Sequence, residues 1–398
     1  MDLSSSAAER EFRAHIRETV TRHLPADLKA KVESGVRLKK ADGVRWHKIL
    51  AGLGWGAPNW PKEHGGCGWS GGELYIFEEE QALAGCPPLS PFAIKMVGPV
   101  LIAFGTSEQQ ERFLPRARNA EDYWCQGYSE PGSGSDLASL QTKAVRSGED
   151  YIVNGMKIWT SYAHEADWMF ALVRTDGSGK QQEGITVLLI DMRTKGISHR
   201  PIITIDGAHI LNEVRFDDVR VPVANRIGEE GKGWTYAKFL LGNERALIAQ
   251  IAASTRLLAK LKSIAKTEAN GFGGRLIDEA DFRAKLAALE VELEALRITN
   301  ERVLYEAKTG TVGNGGAILK SKGTFISQAL SEIMAEAVAF YGAPWLPAAL
   351  DASWNEPAIG PDYAKGAVPL YMRQRANTIE GGTEEIQKNV IAKQVLGL

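Results

Sequence analysis

The loop from Ser129 to Asp136 holds the densest cluster of residues that can contact a ligand. Its sequence is Ser-Glu-Pro-Gly-Ser-Gly-Ser-Asp. Gly132 and Gly134 allow a backbone to approach a ligand closely, while exposed amides and the three serine hydroxyls can bind a phosphate or the edge of a heterocycle. The loop is not the dinucleotide fingerprint G-x-G-x-x-G, because Leu137 stands where the third glycine would be. These residues indicate either a ligand-binding loop or an ordinary tight connection between two elements.

A second cluster ends a predicted strand and consists of Trp159, Thr160 and Ser161. A flat indole beside two hydroxyl groups suits a planar ring system such as a flavin. The structural alternative is a core tryptophan packed on one face of a sheet.

Two glutamates are candidates for a general base. Glu244 lies among the apolar residues of Leu240–Ala246, near the start of a long predicted helix. Desolvation there would raise its pKa toward the working range of a base, whereas an ion pair with Arg245 is the structural alternative. Glu380 lies on a glycine-rich loop ahead of Thr383, where its side chain is either aimed into a cleft or solvated.

Composition argues against several classes of function. The chain has 398 residues, with 47 Lys+Arg against 49 Asp+Glu, and a nucleic-acid-binding protein would normally carry a basic excess. Its seven histidines are scattered without metal-binding spacing, so no metal site is expected. Three well-separated cysteines, the lack of a signal-peptide pattern and the lack of a membrane-spanning apolar run predict a cytoplasmic protein.

The elements that must position these residues predict an α+β fold in three segments. Apolar residues at helical spacing predict an N-terminal helical domain over 1–121. Short β-type runs predict a central antiparallel β domain over 122–230, with Asn154-Gly155 as a hairpin turn between two strands. Residues 231–398 predict a C-terminal four-helix bundle. Its helices are expected over 234–266, 278–309, 315–340 and 364–395.

Three motifs follow one another along the chain, at 129–136, 154–160 and 381–389. In their order, spacing and helical, β, helical setting they resemble the acyl-CoA dehydrogenase family, and the resemblance runs nearly from end to end. The stretches Gly233–Lys238 and Gly242–Arg245 are similar to those of bacterial members related to the large subunit of pimeloyl-CoA dehydrogenase and to steroid side-chain acyl-CoA dehydrogenases.

The resemblance implies an FAD enzyme that converts a saturated acyl-CoA into the trans-2-enoyl-CoA and passes electrons to an electron-transfer flavoprotein. In that reaction a glutamate removes the α-proton while the β-hydrogen leaves as hydride to flavin N5. By position in the motifs, the residues implied to contact FAD are Gln126, Tyr128, Ser129, Gly134, Ser135, Trp159, Thr160, Ser161, Thr383 and Glu385. Those implied to contact the acyl-CoA are Ser135, Arg245 and Gly382.

The catalytic glutamate departs from the commonest pattern of the family. Many members carry it directly before the Gly-Thr of the C-terminal loop, but this chain has Gly381 there and Glu380 one residue earlier. A minority, the isovaleryl-CoA type, place it on the long helix before an arginine, which matches Glu244-Arg245. The resemblance therefore favours Glu244 as the base, with Glu380 as its rival.

Two contacts that family members make to a neighbouring subunit's FAD are altered. An arginine that precedes a Phe-Gly pair is replaced by Ala269, and a Gln-x-x-Gly-Gly stretch reads Ala339–Ala343. One hypothesis is an α2β2 heterotetramer in which a paralogous subunit supplies the missing contacts. The other is a homotetramer with altered FAD contacts.

Two other functions on the same fold are considered. The chain could be a non-catalytic or FAD-sharing companion subunit of a heteromeric dehydrogenase, although the retained Trp159 and Glu244 argue against that. A flavin monooxygenase or acyl-CoA oxidase is the other, although the chain is shorter than the oxidases with two helical bundles.

Overall fold

The computed structural model describes residues 6–244, 249–308, 315–357 and 359–398, with the backbone alone over 241–244 and 305–308. The described chain forms two compact units. The helical unit contains residues 6–46 and 69–88 together with the described residues from 249 onward. The β unit contains residues 47–68 and 89–244.

Six α-helices precede the sheet in the described residues, as expected for a helical N-terminal domain. They are α1 (Ala7–His23), α2 (Ala26–Ser34), α3 (Lys40–Gly52), α4 (Gly71–Ala84), α5 (Gly98–Phe104) and α6 (Ser107–Arg118). Capping boxes begin α1, α4 and α6, because Ser6, Ser70 and Thr106 each accept a hydrogen bond from the third amide of the helix. A π-turn over Phe92–Val97 precedes α5.

Eight strands form one sheet in the β unit. They are β1 (Trp124–Gly127), β2 (Lys143–Ser147), β3 (Asp150–Ser161), β4 (Trp168–Arg174), β5 (Ile185–Asp191), β6 (Ile197–Ile203), β7 (His209–Pro222) and β8 (Arg226–Ile227). The strand order is β6-β7-β3-β2-β4-β5-β8, and β1 pairs with β4. Most pairs are antiparallel, as predicted, whereas β1–β4 and the single β2–β4 pairing are parallel.

The predicted hairpin turn at Asn154-Gly155 is wrong. Strand β3 runs straight through both residues, and its pairing with β7 shifts register between Val153 and Gly155. Gly155 has φ 149°, and the Asn154 amide exchanges two hydrogen bonds of 2.9 Å with Asp218 on β7. These cross-strand bonds hold the two residues in the sheet, where they form a β-bulge and not the turn of a hairpin.

Alternate residues of β4 face two separate cores, which explains its unbroken apolar run. Trp168, Phe170 and Leu172 pack in a core with α5, α6 and the π-turn. Met169, Ala171 and Val173 face the second core, which contains residues of β3 and β7. A strand that is buried on both faces carries apolar residues at every position.

The C-terminal region is helical and is built around three long helices. Its helices are α7 (Gly233–Glu244), α8 (Ile251–Thr267), α9 (Ala280–Lys308), α10 (Gly316–Val338), α11 (Ala367–Gln374) and α12 (Glu384–Val390). Ion pairs Lys262–Glu290, Lys285–Glu336 and Lys322–Glu292 join α9 to α8 and α10. Because Lys285 pairs with Glu336 and Glu292 with Lys322, α9 is antiparallel to α10.

The prediction of one continuous helix over 364–395 is wrong. After α11 the chain forms a 3-10 turn at Arg375–Thr378, and a loop follows. Gly381 and Gly382 have φ 66° and 90°, a left-handed backbone that a helix does not contain. The helix predicted over 234–266 is described as α7 and α8, and the residues 245–248 between them lie outside the described ranges.

Candidate functional site

The loop 129–136 leaves open space around its glycines. Reciprocal backbone hydrogen bonds of 2.8 and 3.0 Å between Glu130 and Ser133 close its tight turn. A side chain at Gly132 or Gly134 would meet no atom within 4 Å, and Gly134 and Ser135 are exposed. Ser133 is different: it is buried and its hydroxyl donates to the Asp136 carbonyl at 2.9 Å. The Ser133 hydroxyl is therefore already engaged within the loop.

A buried ion pair fixes the start of this loop. The Lys157 side chain on β3 is fully buried, and its Nζ donates to the Glu130 carboxylate at 2.8 Å and to the Tyr128 carbonyl at 3.0 Å. The carboxylate also accepts the Gln141 and Thr142 amides, at 2.6 and 2.9 Å. Burial lowers the pKa of Lys157 to about 8. Burial also acts to raise the pKa of Glu130, but the charge and hydrogen bond of Lys157 keep that pKa below its usual range.

Trp159 is held in an unusual backbone conformation and its indole is exposed. It has φ 61°, and the β3–β7 pairing shifts between Lys157 and Thr160. The side chain is 56% exposed, against 1% for Trp124 in the adjoining core. Left-handed backbone at a bulky residue costs about 1–3 kcal/mol, and such residues cluster at ligand sites. The core-tryptophan alternative is therefore wrong for Trp159.

The two residues after Trp159 differ in exposure. Ser161 is half-buried, but the Thr160 side chain is only 2% exposed, and its hydroxyl has no hydrogen-bond partner among the described residues. On the neighbouring strand the buried Asn212 amide donates to the Thr160 carbonyl at 3.1 Å and contacts His164 Nδ1 at 3.0 Å. The His164 and His209 rings stack with centroids 3.9 Å apart. A buried hydroxyl without a partner next to an exposed indole is consistent with a site for a polar planar ligand.

Upstream of the loop, two of the implied FAD contacts lie on β1 and directly after it. Gln126 is half-buried, and Tyr128 is buried against Phe170 in an edge-to-face contact with centroids 5.8 Å apart. Ser129 is half-buried, and its carbonyl accepts the Ile158 amide at 2.9 Å. The loop and β3 thus bring Ser129 and Trp159 together within the β unit.

A pocket of about 430 Å³ lies on one side of the same loop. Its lining residues are Glu130, Pro131, Gly132, Ser133, Ser139, Gln141, Thr142, Gly155 and Met156. Two of its polar groups are already engaged, because the Glu130 carboxylate is bound to Lys157 and the Ser133 hydroxyl to Asp136. Trp159 and Ser161 do not line it, so the flavin face suggested by Trp159 is a different part of the loop surface.

Helix α7 carries the preferred base at its last residue. Tyr236 and Phe239 on α7 pack against Phe104 of α5, with ring centroids 4.5 and 5.2 Å apart, and α7 also contacts the π-turn. The backbone is helical to Glu244, whose side chain lies outside the described residues, as does the whole of Arg245.

The rival base is engaged elsewhere. The Glu380 carboxylate accepts a hydrogen bond of 3.0 Å from the Arg373 guanidinium, and its side chain is 46% exposed. A base for a weakly acidic C–H group needs a desolvated carboxylate, and an exposed ion pair provides the opposite environment.

The C-terminal loop that follows Glu380 is held from both sides. Thr383 is the N-cap of α12 and accepts the Ile386 amide at 3.3 Å, as predicted. Hydrogen bonds to the first-turn backbone keep the pKa of the exposed Glu385 below its usual range. Before the loop, the fully buried Lys320 on α10 donates to the Asn377 carbonyl at 2.7 Å, and burial lowers the pKa of this lysine. Gly382 is exposed.

The two positions that depart from the family pattern each follow a long helix. Ala269 follows α8, and Ala339 follows α10. Phe272 and Phe340, beside the altered positions, are 91% and 92% exposed. Exposed aromatic rings of this kind indicate a contact surface.

Among the described residues, no three His, Cys, Asp or Glu side chains are grouped so that they could hold a metal ion. The described helices include none that is long and apolar enough to cross a membrane. Cys67, Cys86 and Cys125 are all free thiols.

Family models match almost the whole chain. They are the N-terminal, middle and C-terminal domains of acyl-CoA dehydrogenase, over residues 6–121, 125–219 and 231–396. The chain belongs to the acyl-CoA dehydrogenase family. The resemblance drawn from the motifs is thereby confirmed, as is the α+β fold class of helical, β and helical segments. Acyl-CoA dehydrogenases are oxidoreductases, flavoproteins of lipid metabolism that generally bind FAD.

Similar acyl-CoA dehydrogenases include two from Mycobacterium tuberculosis. Acyl-CoA dehydrogenase IpdE1 is 35% identical over 98% of this chain and 97% of its own length. Acyl-CoA dehydrogenase FadE26 is 33% identical over 100% and 99%. Among solved structures, the Tcur3481-Tcur3483 steroid ACAD has a TM-score of 0.85 at 29% identity and covers 100% of this chain and 99% of its own. The ChsE4-ChsE5 complex from Mycobacterium tuberculosis has a TM-score of 0.82 at 31% identity, with coverage of 100% and 99%.

Sequence reasoning missed Glu130 and Lys157 as residues that shape the candidate site. Lys157 precedes Trp159 by two residues, and a lysine at an inward-facing strand position was the available signal. Lys320 was missed for the same reason in the helical unit. The residues of the β unit fit an FAD group, because the open glycines, the exposed indole and the orphaned Thr160 hydroxyl lie on adjoining segments.

Proposed function

We propose that this chain catalyses the FAD-dependent α,β-dehydrogenation of an acyl-CoA thioester to the trans-2-enoyl-CoA. The observation that carries the proposal is Trp159, an exposed indole on left-handed backbone next to the open glycine loop. Family membership supplies the reaction class.

The FAD contacts are proposed from the positions of the three sequence motifs. When bound, FAD accepts the β-hydrogen of the substrate as a hydride. The residues proposed to hold it are Gln126, Tyr128, Ser129, Gly134, Ser135, Trp159, Thr160, Ser161, Thr383 and Glu385. Ser135, Arg245 and Gly382 are proposed to contact the acyl-CoA.

Glu244 is proposed to remove the proton from the α-carbon of the thioester. The ion pair between Glu380 and Arg373 supports this choice, because a carboxylate stabilised by a guanidinium is a weaker base. Polarisation of the thioester carbonyl by hydrogen bonds would acidify the α-carbon, so that a carboxylate suffices as base.

The test is an anaerobic titration of the purified flavoprotein with a panel of acyl-CoA thioesters. We expect one class to bleach the flavin absorbance band. Glu244→Gln should slow bleaching about 10²–10⁴-fold, the usual contribution of a general base, while Glu380→Gln should bleach at nearly the wild-type rate. The reverse pattern would identify Glu380 as the base, and an unbleached band with every thioester would refute the function.

The panel begins with steroid-derived acyl-CoA thioesters. The similar Tcur3481-Tcur3483 structure is a steroid ACAD, which supports this class for the present chain. Straight-chain, branched and dicarboxylic thioesters of matched length complete the panel. If one of these thioesters reduced the flavin instead, the proposed substrate class would change and the proposed reaction would stand.

We propose an α2β2 assembly with a paralogous subunit, and an electron-transfer flavoprotein as electron acceptor. The loss of both trans contacts at Ala269 and Ala339 and the exposed Phe272 and Phe340 support the heteromer. A chain that alone forms a homotetramer with full FAD occupancy would refute it. We also propose a cytoplasmic location and domains at 1–121, 122–230 and 231–398, a division supported by the matched family ranges.

The alternative function is a non-catalytic or FAD-sharing companion subunit, and the same altered contacts favour it. The two readings differ in where the base resides. In a co-purified heteromer, loss of activity in Glu244→Gln of this chain supports catalysis here, whereas unchanged activity supports a companion role.

A further inference from the structure

The Lys157–Glu130 ion pair joins three segments of the β unit. Lys157 lies on β3, Glu130 lies in the glycine loop, and the amides that bind the Glu130 carboxylate belong to residues 141 and 142. Both side chains are almost completely buried, at 0% and 6% exposure.

A buried ion pair contributes little net stability to a fold. Removing two charges from water costs several kcal/mol per ion, and well-packed apolar residues of similar size often serve as well. What the pair provides here is a set of directed hydrogen bonds. Lys157 binds the Tyr128 carbonyl as well as the carboxylate, so it fixes the backbone on both sides of Ser129.

The same lysine borders the strained bulge. Strand β3 leaves regular pairing directly after Lys157, and Trp159 is exposed two residues later. The intervening Ile158 amide donates to the Ser129 carbonyl at 2.9 Å. A hydrogen bond therefore joins the loop to the segment of β3 that carries both Lys157 and Trp159.

We propose that Lys157 and Glu130 are positioning residues, whose ion pair sets the flavin-contacting backbone at Tyr128–Ser129 against Trp159. The inference rests on the proposed function, because it assigns the purpose of this geometry to FAD binding. Neither side chain touches the flavin in this account, since both are enclosed below the loop.

The test compares three variants of the full-length chain. Lys157→Met leaves the Glu130 carboxylate buried without its cation. The double variant Lys157→Met/Glu130→Gln removes both charges but still leaves the Tyr128 carbonyl without its donor. Arg116→Met is the matched control, because it breaks an ion pair of the same unit, to the buried Asp122, outside residues 128–142.

FAD affinity of the apo-chain, hydrogen exchange of peptides over 126–142 and the midpoint of thermal unfolding are measured for each. We expect Lys157→Met to weaken FAD binding at least tenfold, to speed exchange in that segment and to lower the midpoint. The double variant should recover much of the midpoint because no charge is left unpaired, but its FAD affinity should stay weak. Arg116→Met should lower the midpoint with FAD affinity unchanged within about twofold.

FAD affinity that returns together with the midpoint in the double variant would overturn the inference, because the pair would then act through stability only. Wild-type FAD affinity and wild-type exchange in Lys157→Met would overturn it as well, and would leave the proposed function intact. A wild-type chain that binds no FAD, alone or with its partner subunit, would refute the proposed function and this inference together.

Discussion

The left-handed backbone at Trp159 predicts an inverted order of stability between glycine and alanine. In an ordinary strand glycine is less stable than alanine by about 0.5–1 kcal/mol. A non-glycine residue in the left-handed region costs about 1–2 kcal/mol, and Trp159 has φ 61°. Trp159→Gly should therefore be more stable than Trp159→Ala by roughly 0.5–1 kcal/mol.

Val145 supplies the internal standard. It is a large apolar residue on β2 of the same sheet, 63% exposed, and its φ is not positive. There the usual order should hold, so Val145→Ala should be more stable than Val145→Gly by about 0.5–1 kcal/mol. The difference between the two positions isolates the strain at Trp159 from general effects of glycine on the unfolded chain.

The assay is urea unfolding of the four apo-variants, followed by circular dichroism so that the loss of one tryptophan does not alter the signal. The strain argument would be refuted if the free energy of unfolding of Trp159→Ala equalled or exceeded that of Trp159→Gly. Both Trp159 variants should also bind FAD roughly two- to tenfold more weakly, because the aromatic contact to the isoalloxazine is worth about 0.5–1.5 kcal/mol. Both Val145 variants should keep wild-type FAD affinity.

Two further predictions concern pH and the C-terminal loop. Burial and the neighbouring His209 hold the pKa of His164 below its usual value, so the unfolded chain takes up a proton first as pH falls. The contribution of neutral His164 to folding stability should be fully present above about pH 6.5 and should be lost as pH falls through the folded-state pKa. The thermal midpoint of His164→Gln should therefore fall less steeply between pH 7 and 5 than that of the wild type. An unchanged pH profile in this variant would contradict the assignment. Thr383→Ala should cost about 1 kcal/mol through loss of the α12 cap and should weaken FAD binding, while Thr383→Ser should retain both. FAD titration of the three proteins measures the effect, and equal affinities would remove Thr383 from the FAD site.

The sequence predicted elements well where local periodicity decides the structure. The capping residues of α1 and α6, the apolar runs of β4 and β5 and the helices α9 and α10 follow directly from spacing. The same reasoning failed at Asn154-Gly155, since the partner that straightens β3 is Asp218, 64 residues away. In the C-terminal segment, the Gly381-Gly382 pair indicated a break in the helix. The helical spacing of apolar residues on either side of the pair nevertheless led to the prediction of one helix.

The candidate site shows the same division. Trp159 and the glycine loop were found from residue type, and the structure brings Trp159 and Ser129 together. The ion pair beneath them was not predicted, because Glu130 and Lys157 are 27 residues apart and the inward-facing strand position of Lys157 does not by itself identify its partner. The engagement of Glu380 by Arg373 likewise depends on the turn between α11 and the loop, which the sequence did not indicate.

Complete burial of Lys157 and Lys320 affects whether these side chains can be acylated. A lysine with a lowered pKa has a larger share of neutral amine, which is a nucleophile toward thioesters. The proposed substrate is a thioester, so an accessible amine of this kind would be acylated during turnover and would lose its charge. Enclosure at 0% exposure keeps both ammonium groups out of reach of the acyl donor. The two lysines that hold the loop 129–136 and the C-terminal loop are thereby protected from the reagent that the enzyme is proposed to process.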